Sequence, residues 1–399
     1  MGLSVVMWTL FGYSLAFGGN HAGIIGDFRW FGLNNVGMSA GPYADSIPHL
    51  VFCAFQMMFA MITPALITGS LVGRMKFKAL FLFVAIWSVI VYYPMAHMVW
   101  GEGGFLAAIG SVDFAGGDVV HISSGVSALV LAIILGRRRG YEHTTYRIHN
   151  IPSVVLGATL LWFGWFGFNA GSALKADGLA AHAFMTSAIS AAAALLSWMF
   201  IDVVKSKKTT LVGASTGLVV GLVAITPGAG FVPIWASFII GALVICYFGV
   251  GFIKKKLKID DALDAFGCHG IGGIWGGIAT GIFTNSSINP VAKWDGLIYG
   301  DYHLFAAQII GIILQIGVWI TPIMWVAESM IGVQSRLYKI LQLNPMFYIV
   351  SGYRDAFIIK RWFWERPNWT IYFWVVSIIC FLFGNWIFKR LRIHFADVL

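Results

Sequence analysis

The sequence predicts an all-α polytopic membrane protein, a bundle of about eleven spans built as an inverted repeat, and three observations carry that expectation. Hydrophobic residues make up 59% of the 399-residue chain and charged ones 11%, whereas a soluble globule is roughly half apolar and about a quarter charged. The apolar residues fall in runs long enough to cross a bilayer, which takes about 20 residues of helix. An acid-to-histidine stretch, Asp113-Phe-Ala-Gly-Gly-Asp-Val-Val-His121, also returns downstream as Asp261-Ala-Leu-Asp264-Ala-Phe-Gly-Cys-His269, the Asp eight positions before the His in both. Matched intramembrane stretches of this kind suggest two halves of one pathway, as in transporters built from repeats.

The runs lie near 1–17, 48–72, 78–100, 115–136, 150–171, 180–204, 209–225, 232–253, 264–285 and 304–326, with a last one near 371–388 after a partly polar stretch. The first opens directly at Met1 with no separate signal peptide and is slightly short for a full crossing, so a truncated first segment is expected. Basic residues collect in alternate loops: Arg74, Lys76 and Lys78; Arg137, Arg138, Arg139 and Arg147; Lys205, Lys207 and Lys208; Lys254, Lys255, Lys256 and Lys258. The positive-inside rule makes these loops cytoplasmic. The stretch at Asp113 then enters from the outer face and that at Asp261 from the cytoplasmic face, as an inverted repeat requires. The same rule accounts for the net charge of +9, and no nucleic-acid partner follows from it. Cys53, Cys246, Cys268 and Cys380 lie in apolar segments without paired spacing, so neither a disulfide framework nor a zinc site is implied.

A pore for a small cation or its neutral form needs aromatic faces at the entrance, a hydroxyl that accepts a hydrogen bond, and a narrow apolar path with few polar groups. Phe55 and Phe59 lie four apart on one helical face, Trp100 closes the next span, and Trp165, Phe168 and Ser172 fall at i, i+3 and i+7. Trp holds a cation best, by about 0.5 to 2 kcal/mol, yet aromatics at this spacing also serve as packing or belt residues. His121 and His269 must find partners inside hydrocarbon, which leaves pore lining, a mutually satisfied structural pair and a metal site as readings. Asp113 and Asp118 stand at a helix start, where the positive end of the macrodipole alone favours an acid. The cluster Gly270, Gly272, Gly273, Gly276 and Gly277 lacks the Gly-Lys-Ser/Thr of a phosphate loop and reads as close helix packing. Nothing resembles a nucleotide-binding or catalytic motif, so the chain reads as a non-enzyme.

Asp-Phe-Ala-Gly-Gly-x-Val-Val-His at 113–121, Gly-Trp-Phe-Gly-Phe-Asn-Ala-Gly-Ser at 164–172, Ile-Thr-Pro-Gly-Ala-Gly at 225–230 and Asp-x-x-Asp-x-Phe-Gly-x-His-Gly at 261–270 resemble the ammonium transporter family (Amt/Mep/Rh) over residues 1–312. The resemblance implies ammonium or ammonia as substrate, a homotrimer with one pore per subunit, multi-pass residence in the cell (inner or plasma) membrane, and no cofactor. It implies that Phe59, Trp100, Phe168 and Ser172 form the outer ammonium site and gate, with Phe55 and Trp165 beside them. It further implies that Asp113 supports recruitment and deprotonation, that His121 and His269 line the path, and that Asp261 and Asp264 are structural acids.

Two departures from the family pattern are expected. An additional first helix precedes the segment at Met1 in family members, and residues 313–399 resemble the C-terminal end of type-2 ABC permeases that export wall or surface polysaccharide, in place of the family's last helix and regulatory cytoplasmic tail. A chimeric chain is therefore expected, with Arg354 and Asp355 short of partners if 337–360 crosses the membrane. The alternative functions are a membrane-subunit fragment of such an exporter, and a membrane-bound ammonium sensor.

Overall fold

Helices account for nearly all the regular structure, because a segment surrounded by hydrocarbon must satisfy its backbone N–H and C=O groups internally. The computed structural model describes residues 1–141, 148–320, 333–334, 338–339 and 342–395, and the chain divides into two units, Met1–Ile316 and Gly317–Leu399. In the first unit α1 is Gly2–Phe17, followed by a short antiparallel hairpin of β1 (Ala40–Gly41) and β2 (Ala44–Pro48). Then come α2 (His49–Leu71), α3 (Phe77–Trp87, carried through Ser88–Tyr92 to Tyr93–Trp100) and α4 (Gly117–Leu135). The second half continues with α5 (Ile151–Gly171), α6 (Gly178–Ser206), α7 (Leu211–Ile225) and α8 (Ile234–Lys256). It ends with α9 (Phe266–Gly270 continued by Ile271–Phe283) and with most of α10 (His303–Ile320), whose last residues belong to the second unit. Among the described residues, six helices are long and apolar enough to cross a membrane, and Gly2–Phe17, Leu211–Ile225 and His303–Gly317 are shorter apolar helices.

Polar residues start several of these helices by accepting from orphan N–H groups of the first turn. Asn150 accepts from the Ser153 amide at 2.8 Å, Asp177 from Leu179 and Ala180 at 3.0 and 3.1 Å, and Thr210 from Gly213 at 2.9 Å. Glycine then lets helices cross closely. A Cβ on Gly125 of α4 would lie 2.4 Å from Cα of Gly270 in α9, and one on Gly273 would lie 3.1 Å from Cβ of His121. These two contacts bring α4 and α9 together at their histidines, as small-residue packing allows where lipid supplies no hydrophobic drive.

The basic loops meet at one end of the bundle. Arg74 donates to the carbonyls of Ser70 and Gly136 and, at 2.6 Å, to that of Asp260; Arg138 pairs with the Asp260 carboxylate at 2.6 Å, and Arg137 donates to the Lys258 carbonyl at 2.8 Å. Lys205 sits over the Tyr247 and Phe248 rings at 4.7 and 4.5 Å. Arg147, placed with these loops by the sequence, lies outside the described residues, as do positions 321–326 of the run at 304–326.

In the second unit α11 (Pro345–Arg354) runs on into the wide turn Asp355–Ile359, and α12 spans Pro367–Phe395. The sequence left Asp355 without a partner. The structure corrects this: Asp355 is 8% exposed and pairs with Arg366 at 3.2 Å, because the turn after α11 brings the head of α12 back beside it. Tyr348 and Thr370 share a 2.7 Å hydrogen bond, and Tyr372 donates to the Leu343 carbonyl at 2.7 Å. Pro345–Arg354 with Asp355–Ile359 is also shorter than the roughly 20 residues of a crossing.

Asp260 ties the basic end together. Burial pushes its carboxyl up, but hydrogen bonds from the Arg138 side chain and N–H, with the charges of Arg138 and Arg74, outweigh that and hold it below the usual carboxylate range. A carboxyl lowered in the folded state stabilises fully above the unfolded value of about 3.9, and that stability is lost as pH falls through the folded value. Asp260→Asn is expected to cost about 2 to 4 kcal/mol, less than for a fully buried pair because Arg138 keeps part of its side chain in water. It should also flatten the acid limb of a thermal-unfolding profile. A variant as stable as the parent, with the same acid limb, would remove Asp260 from this role.

Candidate functional site

The helices that carry the two histidines begin in the same way. Asp113 receives four backbone N–H groups: Gly116 and Gly117 donate to Oδ1 at 2.8 and 2.7 Å, and Asp118 and Val119 to Oδ2 at 2.8 and 3.2 Å. Asp261 receives Ala265 on Oδ1 at 3.0 Å and Phe266 and Gly267 on Oδ2 at 2.8 and 3.4 Å, with the Ser70 hydroxyl as a further donor. Five residues before each histidine the backbone turns left-handed, at Gly116 (φ +102°) and Asp264 (φ +57°). Glycine adopts that conformation freely, and Asp is one of the few other residues that tolerates it. The Asp264 carboxylate then pairs with Lys254 at 2.7 Å. Each helix opens in a wide π turn, Gly117–Ile122 and Phe266–Gly270, with the histidine inside it. Such turns displace a side chain from the regular helical stripe.

His121 and His269 meet through Nδ1 atoms 3.2 Å apart, their rings 5.2 Å between centroids and inclined by 23°. One proton fits between two nitrogens at that distance, so one ring donates and the other accepts; a proton on both Nδ1 atoms would set two N–H groups head to head. The opposite edge of His121 is buried, and Nε2 has no hydrogen-bond partner among the described residues. Trp165 stacks on His121 at 5.3 Å and 17°, and its indole donates to Thr226 Oγ1 at 2.9 Å.

On the side of Asp113, an outer cavity of about 420 Å³ is lined by Phe55, Gln56, Phe59, Trp100, Asp113 and Ser172, among others. Trp100 donates from Nε1 to the Asp113 carbonyl at 2.8 Å, which fixes the indole at the cavity wall. Ser172 ends α5 by donating to the Phe168 carbonyl at 2.9 Å, which leaves its oxygen as an acceptor. Phe59 packs edge-on against Trp100 at 5.6 Å and against Phe55 at 5.0 Å, and stacks on Phe168 at 4.4 Å. Phe168 in turn lines a smaller pocket that includes His121. The stacked pair thus stands between the outer cavity and the histidines.

Phe55, Phe59, Trp100, Phe168, Ser172, Asp113, Trp165, His121 and His269 therefore form one chain of contacts and shared pockets, whereas Asp261 and Asp264 sit at the head of α9, before the turn that holds His269. Asp113 borders the cavity with its carboxylate already committed to amides. Sequence reasoning missed Thr226, the anchor of Trp165, and Asn169, which donates to Ser187 at 2.8 Å; both stand inside motifs quoted above. It also missed Gln308, whose side chain holds Ser111 and both the N–H and carbonyl of Val112, just before Asp113. Asp118, read from the sequence as an acid at a helix start, is buried with its oxygens against Gly277 and Gly311. Among the described residues no three His, Cys, Asp or Glu side chains converge as a metal site would need.

The profile of the Ammonium Transporter Family matches residues 1–339. An ammonium transporter of Bacillus subtilis is 52% identical over 309 residues, 77% of this chain and 75% of that protein. One from Aquifex aeolicus is 45% identical over 351 residues, 87% of this chain and 81% of the other. The crystal structure of Saccharomyces cerevisiae Mep2 superposes with a TM-score of 0.74 at 38% identity, covering 80% of this chain and 73% of that one. These relatives are transporters rather than enzymes.

Proposed function

The chain belongs to the ammonium transporter family, and from that premise we propose that it takes ammonium from the outer cavity and conducts it as ammonia past His121 and His269. The observation that carries this reading is the order of parts: an aromatic cavity, a stacked Phe59–Phe168 pair, and then two imidazoles sharing one proton. In the cavity, the Trp100 and Phe59 faces and the Ser172 oxygen offer a cation what it loses in leaving water, the rings contributing about 0.5 to 2 kcal/mol. Phe55 flanks this site. The Asp113 carboxylate is filled by amide donors, so its part is to hold the cavity floor and the head of α4 and to place negative charge beneath the cation. Below the stacked rings the path is apolar, a setting in which an ion is expensive and a neutral molecule is not. The proton therefore leaves before passage, and ammonia, both donor and acceptor, finds the histidine nitrogens as its polar partners. Trp165 keeps the His121 ring in plane with that path.

With this activity we propose multi-pass residence in the cell membrane and, as the family resemblance implies, a homotrimer with one pore in each subunit. Uptake of labelled methylammonium tests it. His121→Ala and His269→Ala should each remove or alter selective uptake, and Trp100→Leu should raise the half-saturation concentration by about tenfold, the upper part of the ring contribution. Uptake like that of the parent in both histidine variants would defeat the pore assignment.

For the C-terminal part we propose a separate origin, with residues 313–399 as a fragment like a type-2 ABC permease. The change of unit after Ile316 and the polar pairing internal to the second unit support this, while the family profile runs on to residue 339. Truncation after Val326, a position outside the described residues, should keep or raise folded protein, trimer and uptake per molecule. Loss of trimer or uptake at equal expression would make the tail an integral part of the transporter.

A further inference from the structure

Gln308 of α10 treats Val112 as a neighbouring strand would. Residues 111–113 lie outside any helix, between the short turn Phe105–Ala108 and the head of α4, so their backbone groups have no helical partners and must find others. Gln308 Oε1 accepts the Val112 N–H at 2.8 Å and the Ser111 hydroxyl at 2.6 Å, and Nε2 donates to the Val112 carbonyl at 2.9 Å. Ser111, Val112 and Gln308 are all buried. Only one orientation of the amide serves both backbone groups, because a carboxamide has one acceptor end and one donor end. The next residue carries the outer site. The Asp113 carbonyl takes the Trp100 indole at 2.8 Å, and the Phe114 N–H donates to the Pro227 carbonyl at 3.0 Å. The strap 111–114 is thus pinned at Gln308 and at Pro227, and Trp100 is attached between the two pins.

We propose that Gln308 is a positioning residue for the outer cation site: it holds the strap that holds the Trp100 indole, and so sets the affinity for ammonium without touching it. Trp100 and Asp113 line the cavity, while Gln308 stands behind the strap. The histidines depend on other contacts. Their helix heads are fixed by amides on the Asp113 and Asp261 carboxylates and by the close approaches at Gly125 and Gly273, none of which uses the Gln308 amide. Loss of that amide therefore weakens the hold on the cation and leaves the path past the imidazoles as it was. The effect also has a ceiling, since a residue that acts through one ring cannot matter more than the ring itself. The inference rests on the reading of Trp100 as a cation-holding residue.

The test is the concentration dependence of labelled methylammonium uptake by the full-length chain, scaled to the folded protein in the membrane. Gln308→Met keeps the length of the side chain and removes its donor and acceptor. The half-saturation concentration should rise about three- to tenfold, no further than in Trp100→Leu, with the maximal rate within about twofold of the parent's. Added to Trp100→Leu, the same change should raise it by less than about twofold more, because residues in one chain of contacts are not additive. Gln308→Glu supplies the rescue: its neutral form presents the same acceptor and donor, so at the acidic end of the working range its half-saturation should lie within about twofold of the parent's at the same pH. A merely structural role would instead lower the maximal rate, multiply with Trp100→Leu, and leave Gln308→Glu no better than Gln308→Met. Any of these results would overturn the proposal, as would failure of both Gln308 variants to fold. A parental half-saturation in Trp100→Leu would defeat the cation-site reading and this inference with it; a raised one there beside a parental one in Gln308→Met would defeat the inference alone.

Discussion

The arrangement depends on a carboxylate that gathers the free amides at the head of each histidine helix. A helix start leaves its first N–H groups without intrahelical partners, and in a low-dielectric surround each one left unpaired costs about 1 to 3 kcal/mol. Asp113 satisfies four and Asp261 three. Because the same seven amides would be difficult to satisfy in any other backbone path, the carboxylates also select the left-handed residue and the wide turn that follow. The histidines inherit their direction from those turns. Negative charge at a helix N-terminus is favourable in its own right, so the cap and the macrodipole act together.

The remaining interactions convert that direction into contact. Gly125 and Gly273 let α4 and α9 approach until the two Nδ1 atoms are 3.2 Å apart. Trp165, held by Thr226, closes one face of the pair, and the Phe59–Phe168 stack closes the way to the outer cavity. Aromatic pairs contribute about 0.5 to 1.5 kcal/mol beyond their burial, so the stack can part on a thermal timescale while the capped helices stay fixed. Rigid ends and a weak middle fit the proposed passage of one small molecule without its hydration shell.

Much of this was legible in the chain. Long apolar runs located the helices, since a run able to cross a bilayer has one regular way to satisfy its backbone, and the repeated eight-residue interval from Asp to His marked the two helix heads that share one kind of cap. The interval could not say why the acid was there: a carboxylate before a histidine reads equally as a cation site or as a cap, and only the amide directions separate them. Left-handed backbone was readable at Gly116 but not at Asp264, where an acid occupies a position that glycine would ordinarily mark. The stack of Phe59 on Phe168 joins helices more than a hundred residues apart, and helical periodicity shows which residues share a face but not which face opposes them. The same limit hid the Asp355–Arg366 pair, whose partners are brought together by a turn that the polar stretch after α11 did not announce.

The claim that the caps set the histidine pair is tested most directly by nitrogen magnetic resonance on the chain labelled at histidine. The His121 and His269 signals are identified by their loss in the single Ala variants. In the parent the account predicts two mutually perturbed Nδ1 resonances from one shared proton, and it predicts that Asp113→Ala or Asp261→Ala, in whatever fraction folds, uncouples both. Two independent imidazole signals in the parent, or a coupled pair that survives loss of either carboxylate, would contradict it.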